Sequence, residues 1–161
     1  MAMPTIIQEE KDERTRIEIC TQFVSGVEQF ALYIPRISLG PENLLAPQQE
    51  EEVKRFVTRF EADAEKLNIT SILREQDVIK NIPVDKQDTA KEYYGEYFKL
   101  HRIYTGQLLL IKAVIRSMKK GKNTRRKLID DCSLMIGYLQ NMIRTERERI
   151  AVEENFKLLQ S

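Results

Sequence analysis

Six lysine and arginine side chains fall within nine residues of the chain, and no acidic residue stands among them. A cluster of this kind can neutralise the phosphates of nucleic acid, the acidic groups of a protein or lipid headgroups by charge alone. The cations are Lys119, Lys120, Lys122, Arg125, Arg126 and Lys127. They form the candidate site for an anionic partner, and a solvated turn between two helices is the alternative interpretation.

The helix dipole explains only part of this basic turn. Lys119 and Lys120 close a predicted helix, where the dipole favours cations. Arg125, Arg126 and Lys127 lie in the first turn of the next predicted helix, where the same dipole disfavours them. This conflict between a local rule and the sequence favours a functional interpretation. The same residues also fit a nuclear import signal.

His101 is the only histidine, and so the only side chain whose ordinary pKa suits acid–base catalysis near neutral pH. It lies at helical spacing from Phe98, Thr105 and Leu108, which is typical of a structural histidine at the margin of an apolar face. One histidine cannot supply the two Glu-x-x-His pairs of a di-iron bundle, and neither glycine-rich phosphate motif occurs. The sequence therefore predicts no enzyme activity, no metal site and no cofactor.

Aromatic residues are densest on the third predicted helix. They could stack bases or hold a partner peptide, and the packed end of a helical bundle is the favoured interpretation. The residues concerned are Tyr93, Tyr94, Tyr97, Phe98 and Tyr104.

Apolar residues also occur at two places outside the apolar faces that the helical spacing predicts for the bundle core. One is the connection after the first predicted helix, and the other is the charged end of the last helix. Exposed apolar residues at loose ends favour oligomerisation or a protein partner. A loop that packs down over the bundle is the alternative for the connection. The candidate protein-partner residues are Ile37, Leu39, Leu44, Leu45, Ile150 and Phe156.

Apolar spacing predicts the elements that hold these residues. Steps of three and four predict helix 1 from about Thr5 to Ile34, ended by Pro35. Pro47 begins helix 2, which is expected to break near Asn68 and to resume as a short amphipathic piece.

The second half of the chain contains two further helices. Helix 3 begins near Asp85 or Thr89 and closes at Gly121, a suitable C-cap. Helix 4 begins near Asn123 or Thr124. Its isoleucines repeat at every seventh residue and are flanked by a second apolar row, which indicates a broad buried stripe. The isoleucines are Ile129, Ile136, Ile143 and Ile150.

Four segments of similar length joined by short connections predict an all-α fold. The expected architecture is an antiparallel, up-down-up-down four-helix bundle with long helices and with helix 2 broken near Asn68. A chain of 161 residues is most naturally one domain, here residues 1–161.

Bulk composition limits the partners and the compartment. The net charge is +1, so electrostatic attraction to a partner must come from local clusters. Two cysteines without paired spacing indicate free thiols in a reducing compartment. Acidic residues follow the start too closely for a signal peptide, and no apolar run has the length of a membrane span. We expect an intracellular, cytoplasmic protein, with the nucleus as an alternative.

These observations favour a helical interaction module, either an adaptor or a subunit of a complex. It would act through contacts between helix faces and a protein partner, or through self-association. The alternative hypothesis is a nucleic-acid-associated accessory protein that uses the basic turn at residues 119–127.

Overall fold

The structure is a computed structural model that describes the backbone of residues 6–69 and 83–160 and the side chains of residues 13–69 and 83–155. Within these ranges lie four α-helices and no strand. The all-α prediction is confirmed, and the four helices pack together. They are α1 (Ile6–Tyr33), α2 (Pro47–Lys66), α3 (Gln87–Lys119) and α4 (Arg125–Gln160).

Short-range signals in the sequence place most of the helix ends. Helix α1 ends two residues before Pro35, and Pro47 opens α2 at its first position. The hydroxyl of Thr124 accepts a hydrogen bond of 3.1 Å from the backbone N–H of Lys127, which caps α4. Gly121 takes a φ of +76° after the end of α3, a left-handed conformation that glycine adopts at little cost.

Helix α2 ends at Lys66. This end lies two residues before Asn68, where the sequence predicts a break. The short helical piece predicted to follow it lies outside the described residues.

The core between α1 and α2 is built from phenylalanine rings. Phe60 is 1% exposed and lies 5.7 Å from both Phe23 and Phe30, measured between ring centroids. Phe56 stacks at 4.7 Å from Phe30 on the outer side of this layer. Large rings fill the space between two helices whose backbones approach each other less closely than those of α1 and α4.

The broad buried stripe predicted on α4 is present, and its isoleucine row forms one edge. Ile129 is 42% exposed, Ile136 and Ile143 are half-buried, and Ile150 is 8% exposed. Because α4 packs closely against both α1 and α3, the middle of its buried face falls between those two contacts. The residues at that centre are Leu128, Cys132, Met135, Leu139 and Met142, each at most 1% exposed.

None of the helices in the described part of the chain combines the length and the apolar character needed to cross a bilayer.

Candidate functional site

Half of the cations in the basic turn hold the turn to its surroundings. The ammonium group of Lys119 lies 3.0 Å from a carboxylate oxygen of Glu61 on α2. The guanidinium group of Arg125 donates two hydrogen bonds to the backbone carbonyl of Ile37, one of them at 3.0 Å. Lys127 pairs with Asp131 at 3.0 Å. The contacts of Arg125 and Lys127 explain why these two cations are tolerated at the start of α4 despite the helix dipole.

The other half of the basic turn faces solvent. Lys120, Lys122 and Arg126 are exposed, and within the described ranges none of them forms an ion pair or a side-chain hydrogen bond. The surface offered to an anion is therefore smaller than the six-residue cluster suggests.

The connection between α1 and α2 packs onto the bundle. Ile37 and Leu45 are buried, whereas Leu39 and Leu44 are half-buried. The backbone N–H of Leu45 donates a hydrogen bond of 3.2 Å to the carbonyl of Asn123, which ties this loop to the basic turn. Leu39 and Leu44 are therefore the candidate partner residues of this loop that keep accessible surface.

The candidate residues near the end of α4 are only partly described. Ile150 is 8% exposed and lines a groove of about 340 Å³ between α1 and α4, together with Ile17 and the charged residues Arg14, Glu18 and Arg147. The side chain of Phe156 lies outside the described residues.

Large apolar side chains are exposed elsewhere on the molecule, on a surface that the sequence did not single out. Ile103 and Leu110 of α3 are 42% and 43% exposed, and Leu134 of α4 is 46% exposed. Between these helices the side-chain amide of Asn141 donates a hydrogen bond of 3.2 Å to Gln107. Ile103 and Leu110 lie one turn to either side of Gln107, and Leu134 lies two turns before Asn141. We call these three side chains the outer α3/α4 face.

The sequence held a signal for this face. Ile103 and Leu110 are seven residues apart, and neither belongs to the apolar row that includes Tyr104 and Ile111. A second apolar row on a helix that already has a core face is typical of a contact surface.

A buried polar cluster joins the start of α1, the first half of α3 and the end of α4. Its side chains are 0–1% exposed, which is rare for charged residues unless they are paired. The fully buried members are Glu13, Glu146, Arg149 and Glu153.

Arg149 is the centre of this cluster. Its guanidinium group donates to Glu146 at 2.7 Å and to the hydroxyl of Tyr97 at 2.5 Å, and it lies 4.5 Å over the Tyr97 ring. Arg16 of α1 reaches the other oxygen of Glu146 at 3.0 Å. One carboxylate thus binds arginines from two helices. The Arg16–Glu146 pair fixes α1 against α4, because a shift of one helical turn would separate it.

Burial and neighbouring charges set the protonation states of the cluster. Burial opposes the charge on Arg149, but the attraction of Glu146, Tyr97 and Glu13 outweighs that effect and raises the pKa of Arg149. Desolvation raises the pKa of Glu13 to about 7, although the neighbouring Glu153 side chain and the charge of Arg149 act in the opposite direction. Glu13 is thus a buried carboxyl group that titrates near neutral pH.

His101 lies beside this cluster and is neutral near pH 7. Burial is the main cause that lowers its pKa to about 4, and the positive charges of Arg149 and Arg16 add to it. Its Nε2 atom lies 3.2 Å from the hydroxyl of Thr105, and its buried Nδ1 atom makes no hydrogen bond within the described part of the chain. The position matches the boundary histidine that the spacing predicted.

The aromatic residues of α3 are part of the core. Tyr93, Tyr94, Tyr97 and Phe98 are each at most 7% exposed and pack against one another. Tyr104 is 1% exposed, and its hydroxyl donates a hydrogen bond of 2.5 Å to the carbonyl of Leu67. These rings are therefore packed inside the bundle and do not form an open stacking platform.

No family model, curated protein or solved structure matches this chain.

Proposed function

We propose that the protein is a helical interaction module whose outer α3/α4 face binds one amphipathic helix of a partner protein. The observation that carries the proposal is the exposure of Ile103, Leu110 and Leu134 on adjacent helices. Apolar side chains on two packed helices, flanking the Gln107–Asn141 hydrogen bond, are suited to the apolar side of a third helix.

The size of the face favours a single partner helix over a permanent dimer. Three side chains that are each less than half exposed offer far less area than the roughly 800 Å² that each partner buries in a stable interface. A small apolar patch of this kind suits a reversible contact.

The charged interior supports a binding role in preference to catalysis. Arg149 and Arg16 neutralise Glu146, and the hydroxyl of Tyr97 is bound to Arg149. These buried groups are engaged with each other, and they hold the helices that carry the outer α3/α4 face.

We further propose that the four helices form an up-down-up-down antiparallel bundle with helix 2 broken near Asn68. Contacts between α2 and α3 run in opposite directions along the two helices. Glu61 pairs with Lys119 and Glu65 with Lys112. Contacts between α3 and α4 behave in the same way, because Tyr97 meets Arg149 and Gln107 meets Asn141. The pairing of Arg16 with Glu146 and of Ile37 with Arg125 supports the same relation between α1 and α4.

The two cysteines support an intracellular location as part of the proposal. Cys20 and Cys132 are free and buried, and burial raises the pKa of both thiols to about 12. Buried free thiols suit a reducing compartment.

Replacing both Leu110 and Leu134 with glutamate should reduce binding of the partner at least about tenfold. Binding would then bury two carboxylates at an apolar contact, which costs free energy. The free energy of unfolding should change by no more than about 0.5 kcal/mol for either exposed position. The measurement is the amount of the partner that co-purifies with tagged protein from the native cell, together with urea denaturation.

Leu32→Glu is the matched control, since Leu32 is 76% exposed on α1, away from this face. The proposal requires that one protein be retained by this control and lost with the double variant. Equal retention by both would contradict it. If light scattering shows a dimer that the double variant abolishes, the face binds a second copy of the chain and not a helix of another protein.

The nucleic-acid hypothesis is supported by the three exposed cations of the basic turn. A contact through Lys120, Lys122 and Arg126 alone should give a plot of log affinity against log salt with a slope of about −3 or shallower on duplex DNA. Charge reversal of all three to glutamate should remove measurable binding to a DNA duplex in fluorescence anisotropy. Unchanged binding after this reversal would reject the hypothesis.

A further inference from the structure

Leu134 lies on the row of α4 that borders α3. It is seven residues from both Lys127 and Asn141, and two helical turns bring a residue back to the same side. Asn141 donates a hydrogen bond of 3.2 Å to Gln107 of α3, and the ammonium group of Lys127 donates one of 3.4 Å to the backbone carbonyl of Ser117. The outer α3/α4 face therefore follows the seam between the two helices as far as the basic turn.

Two exposed cations of the basic turn continue the rows that contain the exposed leucines. On α3, steps of seven and three lead from Leu110 through Ser117 to Lys120. On α4, two steps of four lead back from Leu134 to Arg126. At the rise of an α-helix, these cations lie about 12 to 15 Å along the helices from the leucines. A partner helix of about 20 residues is about 30 Å long and can contact both.

This end of the surface has an excess of positive charge. Lys120, Lys122 and Arg126 are exposed and form no ion pair with any residue that the structure describes, and we call them the solvent-facing cations. Asp130 is the acid on the same row as Arg126, one turn further along α4, and it offsets one of the three charges. Two positive charges therefore remain for a partner to neutralise.

The opposite end of the outer α3/α4 face is closer to neutral. Three exposed cations and two exposed acids lie there within two helical turns of Ile103 or Asn141. One of these cations, Arg144, is engaged with the side chain of Asn141 at 2.7 Å. The excess positive charge is thus concentrated at the basic turn. The five residues at the opposite end are Lys99, Arg102, Arg144, Glu96 and Glu148.

We propose that the partner helix is acidic, with its apolar side on Leu110 and Leu134 and its carboxylates against the solvent-facing cations. This inference rests on the proposed function of the outer α3/α4 face and adds the chemistry of the occupant. An apolar centre with a charged rim is the usual composition of a protein–protein contact, and complementary rim charges steer the encounter. Exposed leucines beside the cations favour a protein over nucleic acid, because a phosphate backbone offers them no apolar partner.

The test uses two fluorescent synthetic peptides of about 20 residues that share one helical face of leucines. One peptide carries glutamates at the polar positions of one end, and the other carries glutamines there. Fluorescence anisotropy at low salt should show that the wild-type protein binds the glutamate peptide about tenfold more tightly, since each exposed ion pair adds a small increment. The difference should disappear at about 1 M salt, where screening acts within about 3 Å.

Replacing all three solvent-facing cations with glutamine should remove the preference for the glutamate peptide and leave binding of the glutamine peptide unchanged. A matched control makes the same change at three exposed cations of α2, a helix that contributes no residue to this face, and should keep the preference. The control positions are Lys54, Arg55 and Arg59.

Equal affinity of the wild-type protein for the two peptides would overturn this inference and leave the proposed function standing. If neither peptide binds, or if the variant with Leu110→Glu and Leu134→Glu binds both as tightly as the wild type does, the proposed function fails and the inference fails with it. A DNA duplex that binds more tightly than the glutamate peptide, and that is lost with the glutamine variant alone, would assign the cations to nucleic acid and overturn the inference.

Discussion

Replacing Arg149 with methionine should lower the free energy of unfolding by about 3–5 kcal/mol, because it removes the central cation of a buried cluster and breaks its ion pairs with Glu146 and Glu13. Arg149 is 1% exposed and Glu146 is fully buried, so water cannot replace the lost interaction. Methionine keeps a side chain of similar length, which limits the cavity term. Urea denaturation followed by circular dichroism measures the change.

Two further variants separate the charge effect from the loss of packing. Arg147→Met alters an exposed arginine two residues away and should change the free energy of unfolding by no more than about 0.5 kcal/mol. Adding Glu146→Gln to Arg149→Met should recover none of this loss, because Glu146 still pairs with Arg16 in the single variant and its removal would leave that second arginine without its carboxylate. If the loss in Arg149→Met matched that of the Arg147→Met control, the cluster would not be a desolvated ion pair.

Phe60→Ala should cost about 3–5 kcal/mol of unfolding free energy, which is usual for a buried phenylalanine truncated to alanine. Phe60 contacts Phe23, Phe30 and Phe56 at centroid distances of 5.7, 5.7 and 6.5 Å, so the cavity would be bounded by rings from two helices. These rings lie on helices and cannot all move inward together. The same denaturation measurement applies.

Phe56→Ala is the matched aromatic control, since Phe56 lies one turn earlier on α2 and is half-buried. Phe56→Ala should lower the free energy of unfolding clearly less than Phe60→Ala does, because water can occupy part of the space that the ring leaves. Equal losses for the two variants would mean that Phe60 is no more central to the packing than its neighbour.

The sequence predicted the helix boundaries well where a single residue decides the backbone conformation. Pro35, Pro47 and Gly121 lie next to observed helix ends, because proline removes a backbone donor and glycine accepts a left-handed φ. These effects are local and need no knowledge of the neighbouring helices.

The centre of the α4 stripe depended on how its neighbours approach. The sequence predicted that neighbouring apolar rows form one broad buried stripe. In the structure the row through Leu128 and Met135 lies at its centre, and Ile129 lies partly in solvent. Spacing defines the rows of a helix, but the directions of α1 and α3 decide which row is most buried.

The polar cluster was not predicted, because the charged end of the last helix was interpreted as a surface for a partner protein. The signal was nevertheless present in their spacing. On α4 the row that contains Leu139 and Met142 continues in steps of four, three and four to Glu146, Arg149 and Glu153. On α1 Glu13 precedes Cys20 by seven residues, as Cys20 precedes Val27, and all three are buried. Charged residues that continue a buried row predict an internal ion-pair cluster when both signs are present.

The contacts of the cations in the basic turn could not be predicted from the sequence. The position of the turn between two helices was predicted correctly, but the sequence could not assign the individual cations. Arg125 binds a backbone carbonyl of a loop that is 88 residues away in the chain. Such a contact depends on the fold and has no local signal.

A photo-crosslinking amino acid placed at Leu110 or at Leu134 tests the interaction proposal most directly. The same probe at the exposed position Leu32 is the reference. The proposal predicts that both test positions give one discrete product with the same partner protein, joined at an amphipathic helical segment, and that Leu32 does not give this product. Identical products from all three positions, no product at the test positions, or a product that joins two copies of this chain would contradict it.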